Sequence, residues 1–363
     1  MYIKKIKLQN YRNYDELDVE LVNGVNIIYG KNATGKTNFL ESIYISSTTK
    51  SHKNSKDKEI IKFDKEEAHI KEQIFIDNKE NIIDIHLKKN SNKGIAVNGK
   101  KINKISEYLG FVNIVFFAPE DLNIIKEGPI SRRKFLDFYI CQIDKIYTYN
   151  LSRYNKILNQ RNKLLKDIKI NNYKNSLIDT IDIYDEQLVK YGIEIINKRK
   201  QIIKELKNKI YNIHYFISDT KEKINTIYEN NVSEENFLEK LRQNRKKDLK
   251  FLTTTVGPQR DDIKFVIENV DIRKFGSQGQ QRTAALSIKL AELDSIKEIK
   301  EETPILLLDD VFSELDENRQ KLLIKNIKNI QTVITCTGLS EDILKILAPD
   351  KIYICKNNQI TSM

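Results

Sequence analysis

Three cysteines and four histidines are all that 363 residues offer for soft-metal or thiol chemistry. Cys141, Cys336 and Cys355 lie far apart and share no metal-binding spacing. A disulfide framework is excluded, and they read as reduced thiols of a cytosolic protein. His52, His69, His86 and His214 form no cluster along the chain and read as surface or strand residues. No Ser/His/Asp triad is legible. No apolar run approaches the roughly 20 residues that span a bilayer, so no membrane partner is expected. Met1-Tyr2-Ile3-Lys4-Lys5-Ile6 is charged and alternating, which excludes a signal peptide. Internal repeats and a low-complexity tail are also missing.

What is present is enough for one large domain or two, with 40% hydrophobic residues for a core. The net charge is +11. That permits a polyanionic partner such as DNA. The chain is rich in Lys, Asn and Ile throughout, however, so the charge is equally a general compositional bias.

The strongest local signal is Gly30-Lys31-Asn32-Ala33-Thr34-Gly35-Lys36-Thr37. It follows the apolar run Val25–Tyr29 and precedes the helix-like Asn38–Tyr44. Strand, Gly-rich turn and helix are the context of a phosphate-binding loop. Backbone N–H groups and a helix N-terminus face the triphosphate. Lys36 reaches the β and γ phosphates, and the Thr37 hydroxyl holds Mg²⁺.

Before the loop, alternating Ile3, Ile6, Leu8 and then Leu17, Val19, Leu21 predict two antiparallel strands. Short alternating runs between Ala68 and Val97 predict a β-meander, with turns at Asn78-Lys79 and Asn98-Gly99. Val112–Phe117 reads as a buried strand. From Ser131 the pattern is helical: Leu151 to Ile168, a polar break at Asn171-Asn172, then Ile181 to Ile210. Two such helices pack antiparallel as a short arm. A third helix starts near Ser233 and ends in the basic stretch Arg242–Lys250.

Ile305–Asp310 is a buried strand closed by two carboxylates. Asp309 holds Mg²⁺, and Asp310 positions or deprotonates the attacking water. A helical block separates the two halves of the site. Just upstream, Ser277-Gln278-Gly279-Gln280 opens a helix whose N-cap is Ser277. The phosphate cradle is already complete in residues 30–37. A second anion-binding helix start therefore predicts contact with another copy's γ-phosphate, in a dimer sandwiching two ATP molecules. Ser313-Glu314-Leu315-Asp316 is turn-like and suits the crossing of that interface.

Together these segments resemble the ABC-type ATPases of chromosome maintenance and repair, most closely the RecF family. Tyr11-Arg12-Asn13-Tyr14 is similar to its early aromatic element. Gly30–Thr37 is similar to Walker A, Ser277–Gln280 to the signature, Leu306–Asp310 to Walker B and Ser313–Asp316, with Asp316, to the D-loop. Pro119-Glu120-Asp121-Leu122, Gly128-Pro129 with Arg132-Arg133-x-Phe135-Leu136-Asp137, and Gly257–Asp262 resemble family-specific blocks. The implied fold class is α/β: an ABC-type P-loop head with a mixed/antiparallel β subdomain and an inserted short helical arm. The head takes 1–130 with 249–363, and the arm 131–248.

The resemblance implies ATP and Mg²⁺ as cofactors, catalysis by Lys36 and Asp310, and an ATP-dependent homodimer. It implies Arg12 and Asn38 at the nucleotide, Thr335 as a γ-phosphate sensor and Glu120 at the metal. Arg12 reads equally as an edge-strand arginine, and Thr335 as a strand-end residue. Arg132 and Arg133 read equally as helix charges or partner contacts. Implied partners are double-stranded DNA and single-strand/double-strand junctions, RecR, and functionally RecO and RecA, in the cytoplasm. Lys50, Lys53, Arg242, Arg245, Lys246 and Lys247 are candidate DNA contacts, although a basic residue taken singly is more often an ordinary solvated charge. Ala33, Lys53 and Gln259 depart from common family residues. Asp310 is one methylene shorter than the Glu usual in the wider class, which implies slow hydrolysis. A metabolic phosphate-loop kinase with a helical lid, or a DNA-bridging protein that binds ATP without hydrolysing it, are the competing readings.

Overall fold

The computed structural model describes residues 1–53, 55–170, 175–218 and 221–363. The Asn171-Asn172 break lies outside them. The chain forms two compact units, residues 1–121 with 288–363, and residues 122–287.

The first unit contains two six-stranded sheets. One takes its strands from the alternating segments: β1 (Tyr2–Tyr11), β2 (Tyr14–Glu20), β4 (Glu67–Ile76), β5 (Lys79–Lys88), β6 (Gly94–Val97) and β7 (Lys100–Lys101). Its order is β2-β1-β4-β5-β6-β7, antiparallel throughout. Asn98-Gly99 makes the β6–β7 turn with both φ angles positive. The β4–β5 turn is Asp77-Asn78, also at positive φ and one residue earlier than Asn78-Lys79.

The other sheet uses the mainly apolar runs β3 (Val25–Tyr29), β8 (Ile114–Phe117), β12 (Ile305–Asp309) and β13 (Thr332–Cys336), with the alternating β14 (Lys351–Lys356) and then β15 (Gln359–Ser362) toward one edge. Its order is β15-β14-β3-β13-β12-β8, parallel except for β15. Strands buried on both faces need no alternation, which explains Ile305–Asp309. The Lys36–Thr48 helix contacts strands of both sheets and is buried almost all round.

That packing encloses Glu72 of β4, which is fully buried and accepts from the Ser46 hydroxyl of the helix. Burial pushes its carboxyl from 4.5 up to about 8. The folded value lies above the unfolded one, so across this window the unfolded chain releases a proton that the folded chain keeps. The stabilisation is complete below the window and declines by about 1.4 kcal/mol per pH unit as pH rises through it. Glu72→Gln removes that decline. Denaturant unfolding at mildly acidic and mildly alkaline pH checks it: parallel pH dependence in wild type and variant would show that Glu72 is ionised in the fold.

The second unit is mainly helical. Helices Lys145–Ile170 and Asn175–Ile217 run antiparallel: Tyr147 bonds Arg199, Arg161 pairs with Asp185, and Leu165 and Ile168 pack with Ile181. The expected third helix is two short ones, Phe237–Gln243 and Arg245–Phe251, broken at Asn244. The unit, residues 122–287, extends past the 131–248 block read from helical periodicity at both ends. β9 (Ile224–Glu229) pairs with β10 (Asp262–Ile267), and β10 with β11 (Val270–Asp271), so strand pairing gathers in 249–287. Arg132 joins from the other side through its fork on Asp262, at 2.6 and 3.0 Å. Arg133 donates to the Asp261 carbonyl at 2.6 Å. Both are intra-unit struts.

Arg161 is fully buried against two buried carboxylates, Asp185 and Asp248, each at 2.7 Å. Arg161→Ala leaves those carboxylates without their main partner. A loss of about 3 kcal/mol is expected in equilibrium unfolding. A loss under about 1 kcal/mol would show that water or Arg245 replaces the guanidinium.

Candidate nucleotide site

The loop after β3 is shaped by close approaches. A Cβ on Gly30 would lie 2.5 Å from the Cys355 carbonyl oxygen, and one on Gly35 2.5 Å from Asn13 Nδ2. Gly35 has φ +108, where a side chain is strained. Ala33 also lies at positive φ, 64°, without glycine's freedom. Lys36 Nζ donates to the carbonyls of Gly30 (2.7 Å) and Lys31 (2.8 Å), folding the amine under the loop. Thr34 Oγ1 donates to the Lys31 carbonyl. Lys31, Asn32 and Ala33 are exposed at the crest.

Two other segments brace the loop. Tyr14 OH donates to the Gly35 carbonyl at 3.0 Å, and Cys355 Sγ to that of Thr34 at 3.3 Å. Asn38 Nδ2 donates to Asn13 Oδ1, whose own amide donates to Asn358. Arg12 makes a two-pronged contact with Glu41 at 2.8 and 2.7 Å and also donates to Ser55 and the Glu59 carbonyl. Among the described residues its bonds go there and not to 30–37. Buried Glu41 also accepts from Tyr11 and Ser51. Its carboxyl sits below the ordinary range because the Arg12 and Ser51 bonds outweigh burial.

β13 separates β3 from β12, and all three end at one edge, with Asp309 opposite Thr335 and Cys336 opposite Tyr29. That register brings three residues together. Asp309 Oδ1 accepts from Thr37 Oγ1 at 3.0 Å and from Thr335 Oγ1 at 2.6 Å. Burial holds the Asp309 carboxyl above its usual value against both hydroxyls. The set is hard oxygen, which suits Mg²⁺. Lys53 lies close enough for its charge to favour ionised Asp309, and Glu120 to oppose it. Asp310 takes the left-handed conformation, φ 51, with its N–H bonded to the Thr335 carbonyl. Ser313 donates to the Asp310 carbonyl, and Asp316 caps the Glu317–Asn326 helix through Arg319 N.

In the second unit, Ser277 begins the Gln278–Lys300 helix with a reciprocal cap. Ser277 Oγ accepts from Gln280 N at 3.2 Å, and Gln280 Oε1 accepts from Ser277 N at 2.8 Å. Ser277 and Gln278 are exposed, and Gln280 Nε2 also donates to Glu222.

The remaining candidates divide. Lys50, Lys53, Lys246 and Lys247 are exposed. Arg242 is half-exposed beside Asp182 at 3.4 Å. Arg245 is committed to Asp182 and Asp185, so the basic stretch is partly internal strut. The histidine reading needs correction. His52 packs on Tyr44 and Phe116, where burial drives it down to about 4, and His214 is fully buried. His69 and His86 face each other across β4 and β5.

A family model described as RecF/RecN/SMC N terminal domain matches residues 2–360. DNA replication and repair protein RecF of Agathobacter rectalis is 52% identical over 360 residues, 99% of each chain. The chain belongs to the RecF family. RecF of Lachnospira eligens is 52% identical over 353 residues, 97% of each chain. A solved structure of the recombination mediator protein RecF with ATP, in the RecFOR pathway, superposes with TM-score 0.92 at 40% identity, covering 100% of this chain and 97% of that one. The Smc head of Pyrococcus furiosus bound to a domain of ScpA shares the fold at TM-score 0.58 and 17% identity. RecF membership and these neighbours make the fold that of an ABC-type ATPase head. No helix among the described residues is long and apolar enough to cross a membrane.

Proposed function

We propose that this chain is a slow, DNA-dependent ATPase that uses ATP to close two copies of itself on duplex DNA at single-strand/double-strand junctions of gaps. The convergence of Thr37 and Thr335 on one Asp309 oxygen supports this reading best. It couples the loop helix, a strand-end hydroxyl and a buried carboxylate at the edge where the triphosphate loop lies.

In this reading the N–H groups of residues 30–37 and Lys36 Nζ receive the β and γ phosphates, and Lys36 leaves its loop carbonyls to do so. Thr37 and Asp309 are the oxygen donors that would hold Mg²⁺, with Glu120 nearby. The bound ion would neutralise phosphate charge. Asp310 orients water, and its short side chain suits a switch more than a motor. Thr335 senses the γ-phosphate through Asp309. Arg12 acts on the nucleotide indirectly, by fixing Glu41 in the loop's helix. Ser277–Gln280 of one copy completes the site of another, with Asp316 at the interface. Lys50, Lys53, Lys246 and Lys247 supply phosphate contacts. The cellular role is recombinational repair and replication restart in the cytoplasm, with RecR and RecO, in loading RecA; the relatives' names and the RecFOR pathway of the solved neighbour support it.

Size-exclusion chromatography tests the central step. A dimer with ATP and a monomer with ADP are expected. A monomer with both would overturn the sandwich and favour a kinase.

A further inference from the structure

The outward face of the first sheet carries side chains that the nucleotide reading leaves unused. In β4 the residues Ala68, Ile70, Glu72 and Ile74 point inward, so Glu67, His69 and Lys71 point out. In β5, Ile83, Ile85 and Leu87 point inward and His86 points out. The register sets His69 directly opposite His86. Their rings stack, with centroids 3.9 Å apart and planes 24° apart. Glu67, two residues before His69 on the same face, brings Oε2 to 2.9 Å from His86 Nε2. One ligand atom from each of the three lies within 4.8 Å of the others. On the far side of His86 the register places Gly94, which contributes no side chain to crowd that flank.

We propose that Glu67, His69 and His86 form a site for a divalent first-row transition ion of the Zn²⁺ class. Two imidazole nitrogens and one carboxylate oxygen are a borderline donor set that suits Zn²⁺, Cu²⁺ or Ni²⁺ over Mg²⁺. Three protein ligands leave a position for water, in keeping with the exposure of Glu67 and the partial exposure of both histidines. The ligands are nearly gathered already, because strand pairing fixes both backbones and only side-chain rotations separate the rings from a shared ion. The ion would replace the Glu67–His86 contact and displace Lys88, which lies 3.9 Å from Glu67. It would also cross-link β4 to β5. The site is separate from Asp309 and Thr37 in donor chemistry, so Mg²⁺ does not compete for it.

Isothermal titration of the full-length, reduced, metal-stripped chain with Zn²⁺, in excess Mg²⁺ and without nucleotide, tests this. One Zn²⁺ per chain is expected. His86→Gln should weaken binding by at least about tenfold, and the His69→Gln/His86→Gln double variant should abolish the saturable phase. Lys71→Ala, one row along the same face, should leave it unchanged. The metal-free thermal midpoint of each variant, expected to match wild type, shows that the fold is intact. Zn²⁺ should raise the midpoint of wild type and Lys71→Ala but not that of the double variant. No saturable binding to wild type, or equal binding to the double variant, overturns the site.

Discussion

Replacing Lys36 by alanine or arginine is expected to lower ATP turnover by about 10²–10³-fold, in line with removal of one preorganised charge donor. The amine is held on two loop carbonyls, at 2.7 and 2.8 Å. Alanine removes the cation outright. Arginine keeps the charge but presents a broad planar fork that cannot occupy a point-like position. Overall stability should change little, since the surrounding braces from Tyr14, Asn13 and Cys355 do not involve the amine. Phosphate release and binding of a fluorescent nucleotide check it. Turnover within about threefold of wild type in both variants would remove Lys36 from the chemistry.

Ser277→Arg should abolish ATP-dependent dimerisation while leaving ATP binding by the monomer intact. The serine caps its helix in an exposed position, so losing the cap costs only about 1 kcal/mol. In the proposed sandwich the larger effect is steric: a long side chain would stand where another copy's γ-phosphate approaches the helix N–H groups. Ser277→Ala, which loses the cap without adding bulk, should dimerise more weakly but detectably. Light scattering with ATP separates the two. Normal dimerisation by Ser277→Arg would show that the signature segment does not complete the site in trans.

How much of this was legible in sequence follows from how local each feature is. Gly30–Thr37, Ile305–Asp309 and the Ser277 cap are short, and their backbone chemistry is written in adjacent residues. Thr335 could be placed at a strand end, but its bond to Asp309 depends on the β12–β13 register. Arg12 could be noticed, but its partner Glu41 lies 29 positions away in a helix. β9 lies within the 131–248 stretch read as helical and pairs with β10 across two short helices, a pairing that a helical pattern does not report. His69 and His86 looked isolated for the same reason: a hairpin of one register makes them neighbours, and a shift of one residue on either strand would place them on opposite faces.

The position of β3 has a consequence for how the protein comes into being. Both strands that flank it, β13 and β14, arrive about 300 residues after the loop they support, and from the same late stretch Cys355 bonds the loop at Thr34 while Asn358 holds Asn13. During synthesis the loop therefore leaves the ribosome well before the strands that flank β3, and its shape waits for them to follow. A ribosome-bound chain stalled before residue 332 should retain no triphosphate. The loop's geometry thus depends on pairings that form only once the chain has been translated through β14.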